Sequence, residues 1–246
     1  MKKITYNERL NTELGALGFK RKNMYEFVKN NGQSIQNIRF VRNSGMVRHS
    51  KEYTVLVGVS YPFISEISNQ IKTDISSMIA QVDIGHLYPI RRYASWMVSP
   101  NEAGEEIVLN TEFFKKHSII PPVVGSLDEV INDMLFSIKE YVIPFLDRYS
   151  IIPNIISQYE GGNKQIACER SVTLLYLKEY GKAAALEYME RTLSNLRKTE
   201  PKEETMTVSR EKTENAEIIH IEVRGGRLKQ FEEFAIKFRK YLEEHE

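Results

Sequence analysis

The sequence predicts an α+β fold, in which helices pack on an antiparallel meander sheet of about four to five strands and a C-terminal α-helical extension follows. Two observations lead to this prediction. A helix-like segment ends at Gly18, and three β-like segments follow it before Pro62; the first ends at Asn31-Gly32, and the second stops at Asn43-Ser44-Gly45. Short loops join antiparallel strands, and a helix followed by such a meander is typical of α+β rather than α/β proteins.

The first helix and the first turn are indicated by a few residues each. Leu10, Leu14 and Leu17 recur at helical spacing, and Gly18 follows them as a C-terminal cap. Asn31-Gly32 predicts a type I′ turn between the first two strands, because both residues tolerate the positive φ that this turn requires. The chain should therefore begin with a helix that leads into a hairpin.

The third β-like segment is predicted to be the centre of the sheet. Val55 and Val57 point to one face, whereas Leu56 points to the other. A strand that is apolar on both faces is typical of a central position. A further strand is predicted over residues 93–98, which include Trp96. We expect the whole sheet to lie between residues 19 and 98.

Helices are predicted between and after these strands. Apolar residues at helical spacing predict a helix over residues 64–79, and residues 83–89 are predicted to form a turn or a bulged strand. Ser126 and Glu129 form a capping box, which starts a helix that Pro144 kinks or ends. We expect this helix and the first one to pack on the sheet.

Beyond residue 150 the sequence predicts helices only. Gly181 separates two helical segments, which indicates a helical hairpin, and a last helix is predicted over residues 228–242. Residues 199–217 are rich in Lys, Glu and Thr and carry no apolar stripe, so no regular structure is predicted there. The predicted domains are an α+β core of residues 1–150 and a helical extension of residues 151–246.

Composition and charge limit the classes of protein. The chain starts without the apolar segment of a signal peptide, no run approaches the roughly 20 apolar residues of a membrane span, and Cys168 is the single cysteine. These features predict a cytoplasmic protein without a membrane partner. Residues 1–60 hold eleven Lys and Arg against four Asp and Glu, a net charge of +7, and the remaining residues carry −6. This asymmetry indicates either an anionic partner or two protein faces that attract each other.

The candidate binding residues are a basic set near the N terminus and two residues in later segments. The basic set consists of Lys20, Arg21, Lys22, Arg39 and Arg42, with Arg48 beyond them. Aromatic residues interleave with it, as in sheets that bind nucleic acid, yet the near-neutral charge of the chain argues against a nucleic-acid partner. The other two candidates are His86, which follows a glycine, and Trp96.

The sequence predicts no catalytic residue, metal site or cofactor. The five histidines are scattered without a metal-binding spacing. No phosphate-binding loop, dinucleotide fingerprint or nucleophile elbow is present. The evident motifs are therefore structural.

Several short segments together resemble the bacterial family described as domain of unknown function 4304. These segments are Leu17-Gly18-Phe19-Lys20, the Asn31-Gly32 hairpin, Ile84-Gly85-His86-Leu87-Tyr88-Pro89, Trp96, and Ile138 to Tyr149 with Pro144-Phe145. The resemblance covers roughly the first 150 residues and implies an α+β fold followed by a helical tail, without any assigned activity. Within that tail, residues 175–188 are similar to one tetratricopeptide repeat, although a stable array needs about three repeats.

The function remains a choice between two classes. The first is a non-catalytic protein-binding or regulatory module, of the immunity or adaptor kind, with a possible protein partner. The second is an enzyme with a cleft between the sheet and the helical tail, and a nucleic-acid-binding protein is a further alternative. A deep concave site lined by His86 or Trp96 would favour the enzyme. The sequence leaves the oligomeric state open.

Overall fold

A computed structural model of the chain describes residues 6–44, 51–93, 96–98, 111–200, 205–212, 217–224 and 226–245. The chain divides into two compact units. One, which we call the sheet unit, comprises residues 1–62 and 78–155, and the other, the helical unit, comprises residues 63–77 and 156–246. The domain boundary after residue 150 stays a prediction.

The sheet unit contains seven strands within the described ranges, and the α+β class predicted from the sequence is confirmed. The strands are β1 (Lys20–Asn23), β2 (Glu26–Asn30), β3 (Ile35–Ser44), β4 (Lys51–Ser60), β5 (Met78–Asp83), β6 (Trp96–Val98) and β7 (Val123–Gly125). Their order is β1-β2-β3-β4-β6-β7, with β5 also paired to β4, and β6 and β7 form the one parallel pair among the named strands. The sheet exceeds the predicted four to five strands because the first predicted strand folds back at Met24 and Tyr25 into β1 and β2, because β5 forms where a helix was predicted, and because β7 adds a strand. The prediction that the whole sheet lies within residues 19–98 is wrong at this last strand, since β7 lies beyond residue 98.

The first helix, α1 (Tyr6–Ala16), ends as the sequence predicts. Gly18 has a φ of +86°. The Phe19 amide donates to the Leu14 carbonyl at 3.0 Å, and the Gly18 amide donates to the Gly15 carbonyl at 3.0 Å. These two bonds form a Schellman motif, in which glycine supplies the left-handed conformation. Leu14 is fully buried, so the helix packs through the predicted stripe.

The hairpin between β2 and β3 is present, but its turn is not of the predicted type. Asn30 pairs with Ile35, so the loop has four residues rather than two. Only Gly32, at +79°, has a positive φ, and the Asn30 side chain accepts a hydrogen bond from its amide at 2.8 Å. A type I′ turn would need Asn31 to have a positive φ as well.

The strand β4 is central, as predicted. It pairs with β3 along its whole length, while β5 and β6 share its other edge. Val55 and Val57 are buried, whereas Leu56, on the opposite face, is half-buried. Helix packing covers the face that carries Val57, because Gln36 on this face donates to Asp147 at 2.9 Å.

The predicted helix over residues 64–79 is wrong in its second half. Helix α2 (Pro62–Gln70) ends with a Schellman motif at Lys72, whose φ is +51°. The Thr73 amide donates to the Ser68 carbonyl at 3.0 Å and closes the motif. The helical spacing of later apolar residues is therefore accidental, and Ile79 belongs to β5, where it pairs with Val59.

Two later helices of the sheet unit form a nearly continuous rod. After α3 (Thr111–Lys116), helix α4 (Leu127–Ser137) begins with the predicted capping box. A π-helical turn over Ile138–Val142 joins α4 to α5 (Ile143–Tyr149), and Pro144 lies in the first turn of α5. The helix does not end at Pro144: the Ile143 amide still donates to the Ile138 carbonyl in the π-helical turn, and Pro144 removes only one donor from the rod.

The helical unit contains α7 (Glu169–Thr199), α8 (Gly226–Glu244) and the end of α6 (Ile152–Glu160). Gly181 breaks α7, with φ +84° and ψ −177°. The Tyr176 and Tyr188 rings stack with centroids 4.6 Å apart, whereas twelve residues of continuous helix would span about 18 Å. The two parts of α7 therefore fold back on each other, which confirms the predicted helical hairpin.

A two-stranded sheet corrects the expectation of helices alone after residue 150. The strands β8 (Thr205–Lys212) and β9 (Glu217–Arg224) pair antiparallel from Thr205↔Arg224 to Lys212↔Glu217. Residues 205–212 therefore form a strand, although their sequence has no apolar stripe that would predict one. Across the described ranges, no helix is both long and apolar enough to cross a membrane.

Candidate functional site

The basic set predicted from the sequence is distributed over both faces of the sheet. Residues paired across antiparallel strands lie on the same face. Arg39 pairs with Glu26 on one face, and Lys20 pairs with Val28 on that face too. Arg21 pairs with Phe27, and Arg42 with Tyr53, on the opposite face. The structure therefore does not gather these cations into one surface.

Two of these cations also have local partners. The Arg21 guanidinium donates to the carbonyls of Asn23 at 3.0 Å and Met24 at 3.3 Å, so it stabilises the turn between β1 and β2. Lys22 forms an ion pair with Glu26 at 3.1 Å. Arg39 and Arg42 are exposed, and Arg48 lies outside the described residues. The proposed role of the basic set in binding stays a prediction.

The histidine predicted as a candidate has a local structural role. His86 is exposed, and its Nδ1 lies 3.2 Å from the carboxylate of Asp83. Asp83 in turn accepts the Gly85 amide at 2.8 Å and caps the short 3-10 helix Ile84–His86. The contact between His86 and Asp83 is therefore part of the local structure at the end of β5.

The tryptophan belongs to a buried polar cluster of the sheet unit. Trp96 is 1% exposed, and its Nε1 donates to Asp133 at 2.7 Å. Arg92 donates to the same carboxylate at 2.9 Å and to the Tyr88 hydroxyl at 2.9 Å. The hydroxyl of Tyr88 donates to Ser137. These contacts join β6 to α4, and neither Trp96 nor His86 lines either of the two cavities described next.

A polar cavity of about 520 Å³ lies in the helical unit. Its walls come from α6, both halves of α7, the α6–α7 loop and the start of α8. The lining residues are Tyr159, Glu160, Lys164, Glu169, Tyr188, Arg191, Thr192, Asn195, Leu196, Thr199 and Arg227. This volume falls within the range of about 300–1,000 Å³ that is usual for ligand pockets.

Ion pairs fix most of the charges in this cavity. Arg191 donates to Glu160 at 2.5 Å, and the Tyr176 hydroxyl donates to the same carboxylate at 2.7 Å. Arg227 donates to Glu169, whose side chain is only 12% exposed. The carboxylates therefore hold both guanidinium groups in place.

Two tyrosines lie between these ion pairs. Tyr159 is 3% exposed and Tyr188 is 5% exposed. Burial raises the pKa of Tyr159, and the neighbouring Glu169 carboxylate raises it further. Burial likewise raises the pKa of Tyr188, and Tyr159 adds to this effect, whereas a hydrogen bond with Thr192 lowers it. Both phenols therefore stay neutral at physiological pH and can exchange only hydrogen bonds.

The charged groups are held in their ordinary ionised forms. Burial raises the pKa of Glu169, but its hydrogen bonds and its attraction to the Arg227 charge together outweigh burial, and the net pKa is lowered. The same hydrogen bond raises the pKa of Arg227. Burial lowers the pKa of Arg191, but its interactions with Glu160 and Tyr176 together outweigh burial, and the net pKa is raised. Each shift moves the pKa away from neutrality.

A second, apolar cavity of about 420 Å³ lies in the sheet unit, around α3 and the segment that follows it. Its lining residues are Ile90, Thr111, Phe114, Lys115, Ser118, Ile119, Ile120 and Pro121. It contains few hydrogen-bonding groups. In the described part of the chain, no three His, Cys, Asp or Glu side chains are grouped so that they could hold a metal ion.

The sequence does not predict the polar cavity, because its lining residues come from separate helices. A signal exists only along the second half of α7, where Tyr188, Thr192, Asn195 and Thr199 recur at helical spacing. Such a stripe of polar residues is also typical of a solvated helix face. The partners from α6 and α8 cannot be found by spacing.

Comparison with known proteins identifies no relative. A scan of the chain against protein-family models finds no match, and searches of curated proteins and of solved structures find none either.

Proposed function

We propose that the protein is a non-catalytic protein-binding module and that the polar cavity of the helical unit is its binding site. The observation that carries this proposal is the preformed polar cavity, in which Arg191 and Arg227 are already paired with Glu160 and Glu169. The shifted pKa values of Glu169, Arg191, Arg227, Tyr159 and Tyr188 all lie farther from neutrality than usual. General acids and bases work best with a pKa near the operating pH, so these groups suit recognition rather than proton transfer.

The chemistry of the cavity supports a peptide as the ligand. Hydroxyl and amide groups from Thr192, Asn195 and Thr199 line one wall, and such groups match the donors and acceptors of a peptide backbone. The ion pairs of Arg191 with Glu160 and of Arg227 with Glu169 connect α7 to α6 and α8 and fix the cavity before any ligand arrives. Preorganisation of this kind reduces the entropy lost on binding.

We also propose a reducing, cytoplasmic location and membership of the family of domain of unknown function 4304. A single cysteine, Cys168, supports the location, because the chain can form no internal disulfide. The short motifs of the first 150 residues support the family. An immunity or adaptor role would agree with a binding site in the absence of catalysis.

The experiment is a selection of random peptides by the purified full-length protein, displayed both with free amino and with free carboxyl termini. Binding of the enriched peptides is then measured for Asn195→Trp, which places an indole in the cavity from an exposed helical position. The matched control is Ser194→Trp, the adjacent exposed residue of the same helix, which does not line the cavity.

We expect enriched peptides to lose at least about tenfold in affinity with Asn195→Trp and to bind Ser194→Trp as they bind the unmodified protein. Circular dichroism of both variants verifies that they are folded. Failure to enrich any peptide, or equal binding by both variants, contradicts the proposal.

A further inference from the structure

Lys164 differs from the other cations that line the polar cavity. Arg191 is paired with Glu160, and Arg227 is paired with Glu169 and, at 3.5 Å, with Glu200. Lys164 has no carboxylate within ion-pair distance among the described residues. Its ammonium instead lies over the ring of Tyr159, 3.8 Å from the ring centroid. A cation held by an aromatic face keeps its charge available for a ligand.

The backbone around Lys164 is ordered by the end of α6. Gly162 has a φ of +106°, and the Asn163 amide donates to the Gln158 carbonyl at 3.0 Å in a Schellman motif. The Lys164 amide then donates to the Gly162 carbonyl at 2.9 Å. The turn fixes the position of the Lys164 Cα, and the Tyr159 ring restricts the side chain.

We infer that this cavity takes a single carboxylate of its peptide partner and that Lys164 is the anchor for it. This inference rests on the proposed function. One unpaired cation matches one negative charge, and a charged hydrogen bond between an ammonium and a carboxylate is among the stronger polar contacts. The amide of Asn195 is available as a second donor on the facing helix.

A phosphate group fits this cavity less well. It carries a charge of about −1.5 to −2 near pH 7. The carboxylates of Glu160 and Glu169 also line the cavity, so the second negative charge would face like charges without a free cation. The charge pattern therefore selects a carboxylate, which either a free C terminus or an Asp or Glu side chain can supply.

The test uses four pools of fluorescent random octapeptides, measured by anisotropy against the full-length protein. The first pool has a free C-terminal carboxylate and no acidic side chain. The second is amidated and carries one central Glu, the third is amidated and lacks any acid, and the fourth replaces the central Glu with phosphoserine. The first two pools distinguish the terminus from a side chain as the source of the carboxylate.

We expect the first or second pool to bind roughly ten- to a hundredfold more tightly than the third, since hydrogen bonds to charged groups are worth this much. Lys164→Met, which keeps the aliphatic stem, should remove the difference, and Lys164→Arg should keep most of it. Lys229→Met, at an exposed position of α8 outside the cavity, is the matched control and should change nothing.

The outcomes separate the inference from the proposed function. If all pools bind equally, if Lys164→Met leaves the preference intact, or if the phosphoserine pool binds most tightly, the inference is overturned while peptide binding stands. If no pool binds, or if Asn195→Trp leaves every affinity unchanged, the proposed function itself is overturned.

Discussion

Arg92 depends on its neighbours more than other described cations of the sheet unit, because its side chain is only 8% exposed. Its Nη2 donates to Asp133 at 2.9 Å, and the rings of Tyr88 and Trp96 lie 5.2 and 5.6 Å from its guanidinium carbon. The buried Nε has no hydrogen-bond partner among the described residues. Asp133 is therefore the group that compensates the buried charge.

Replacement of Asp133 tests this dependence. We expect Asp133→Ala to lower the free energy of unfolding by about 2–4 kcal/mol, since it leaves a buried guanidinium without a counter-ion and removes the acceptor of Trp96. Urea unfolding followed by circular dichroism measures the change. Asp128→Ala, on the same helix, is the control: its side chain is 82% exposed and pairs with Arg9, so a loss above about 1 kcal/mol there would contradict the argument.

The sequence alone could identify Trp96 as unusual but not assign its role. Trp96 was a binding candidate because it is the single tryptophan in an aromatic segment. Its partner Asp133 lies 37 residues away on a helix, at a position where the sequence pattern predicts a solvent-exposed side chain. Contacts of this kind depend on tertiary packing, which local patterns do not contain.

At the scale of elements, the break in α7 depends on one backbone conformation. Gly181 has φ +84° and ψ −177°, a region that essentially only glycine occupies. A Cβ built on Gly181 would meet no atom within 4 Å, so sterics with neighbours do not matter there. The helical hairpin therefore requires glycine at this position because of the backbone conformation, and not because a larger side chain would lack space.

We expect Gly181→Ala to destabilise the protein by about 1–3 kcal/mol through backbone strain. Gly15→Ala is the matched control, because it too has open space around the new methyl group but lies within α1 without a positive φ. This control should stabilise the protein by about 0.5–1 kcal/mol. Thermal unfolding of both variants measures the two effects, and a change of the same sign in both would refute the argument.

The central strand gives a second test at this scale. Val57→Asp should lower the free energy of unfolding by about 4 kcal/mol or more, because Val57 is 1% exposed and an unpaired charge would be buried there. Thr54→Asp, half-buried on the opposite face of the same strand, is the control and should cost much less. Equal losses in the two variants would show that the core does not lie on the Val57 face.

Helix caps formed by the usual residues could be predicted from the sequence, whereas a helix end at an unusual residue and a strand without an apolar pattern could not. The cap at Gly18 and the capping box of Ser126 were predicted because glycine and serine act within one turn. The end of α2 was missed because Lys72, rather than glycine, takes the left-handed conformation. The strand β8 was missed because it is stabilised by pairing with β9.

At the scale of the whole molecule, buried and half-buried tyrosines limit stability at alkaline pH. Burial raises the pKa of Tyr53, Tyr88 and Tyr93 in the sheet unit, and it raises the pKa of Tyr159 and Tyr188 in the helical unit. The folded protein therefore keeps these phenols protonated at a pH where the unfolded chain has lost the proton from the same groups. Their contribution is complete below the ordinary pKa of 10.0 and is lost as the pH rises above it.

We expect the free energy of unfolding to fall steeply between pH 10 and pH 11, with absorbance of ionised tyrosine at about 295 nm rising together with unfolding. Because one pKa unit corresponds to about 1.4 kcal/mol, replacing both Tyr159 and Tyr188 by Phe should make this fall shallower by about 1 kcal/mol for each tyrosine.

Tyr180→Phe, at a residue that is 52% exposed, is the control and should leave the fall unchanged. Guanidinium titrations at the two pH values measure these differences. If the double variant loses as much stability as the unmodified protein over this interval, the two phenols are not held neutral by the helical unit, and the charge pattern argued for its cavity fails with them.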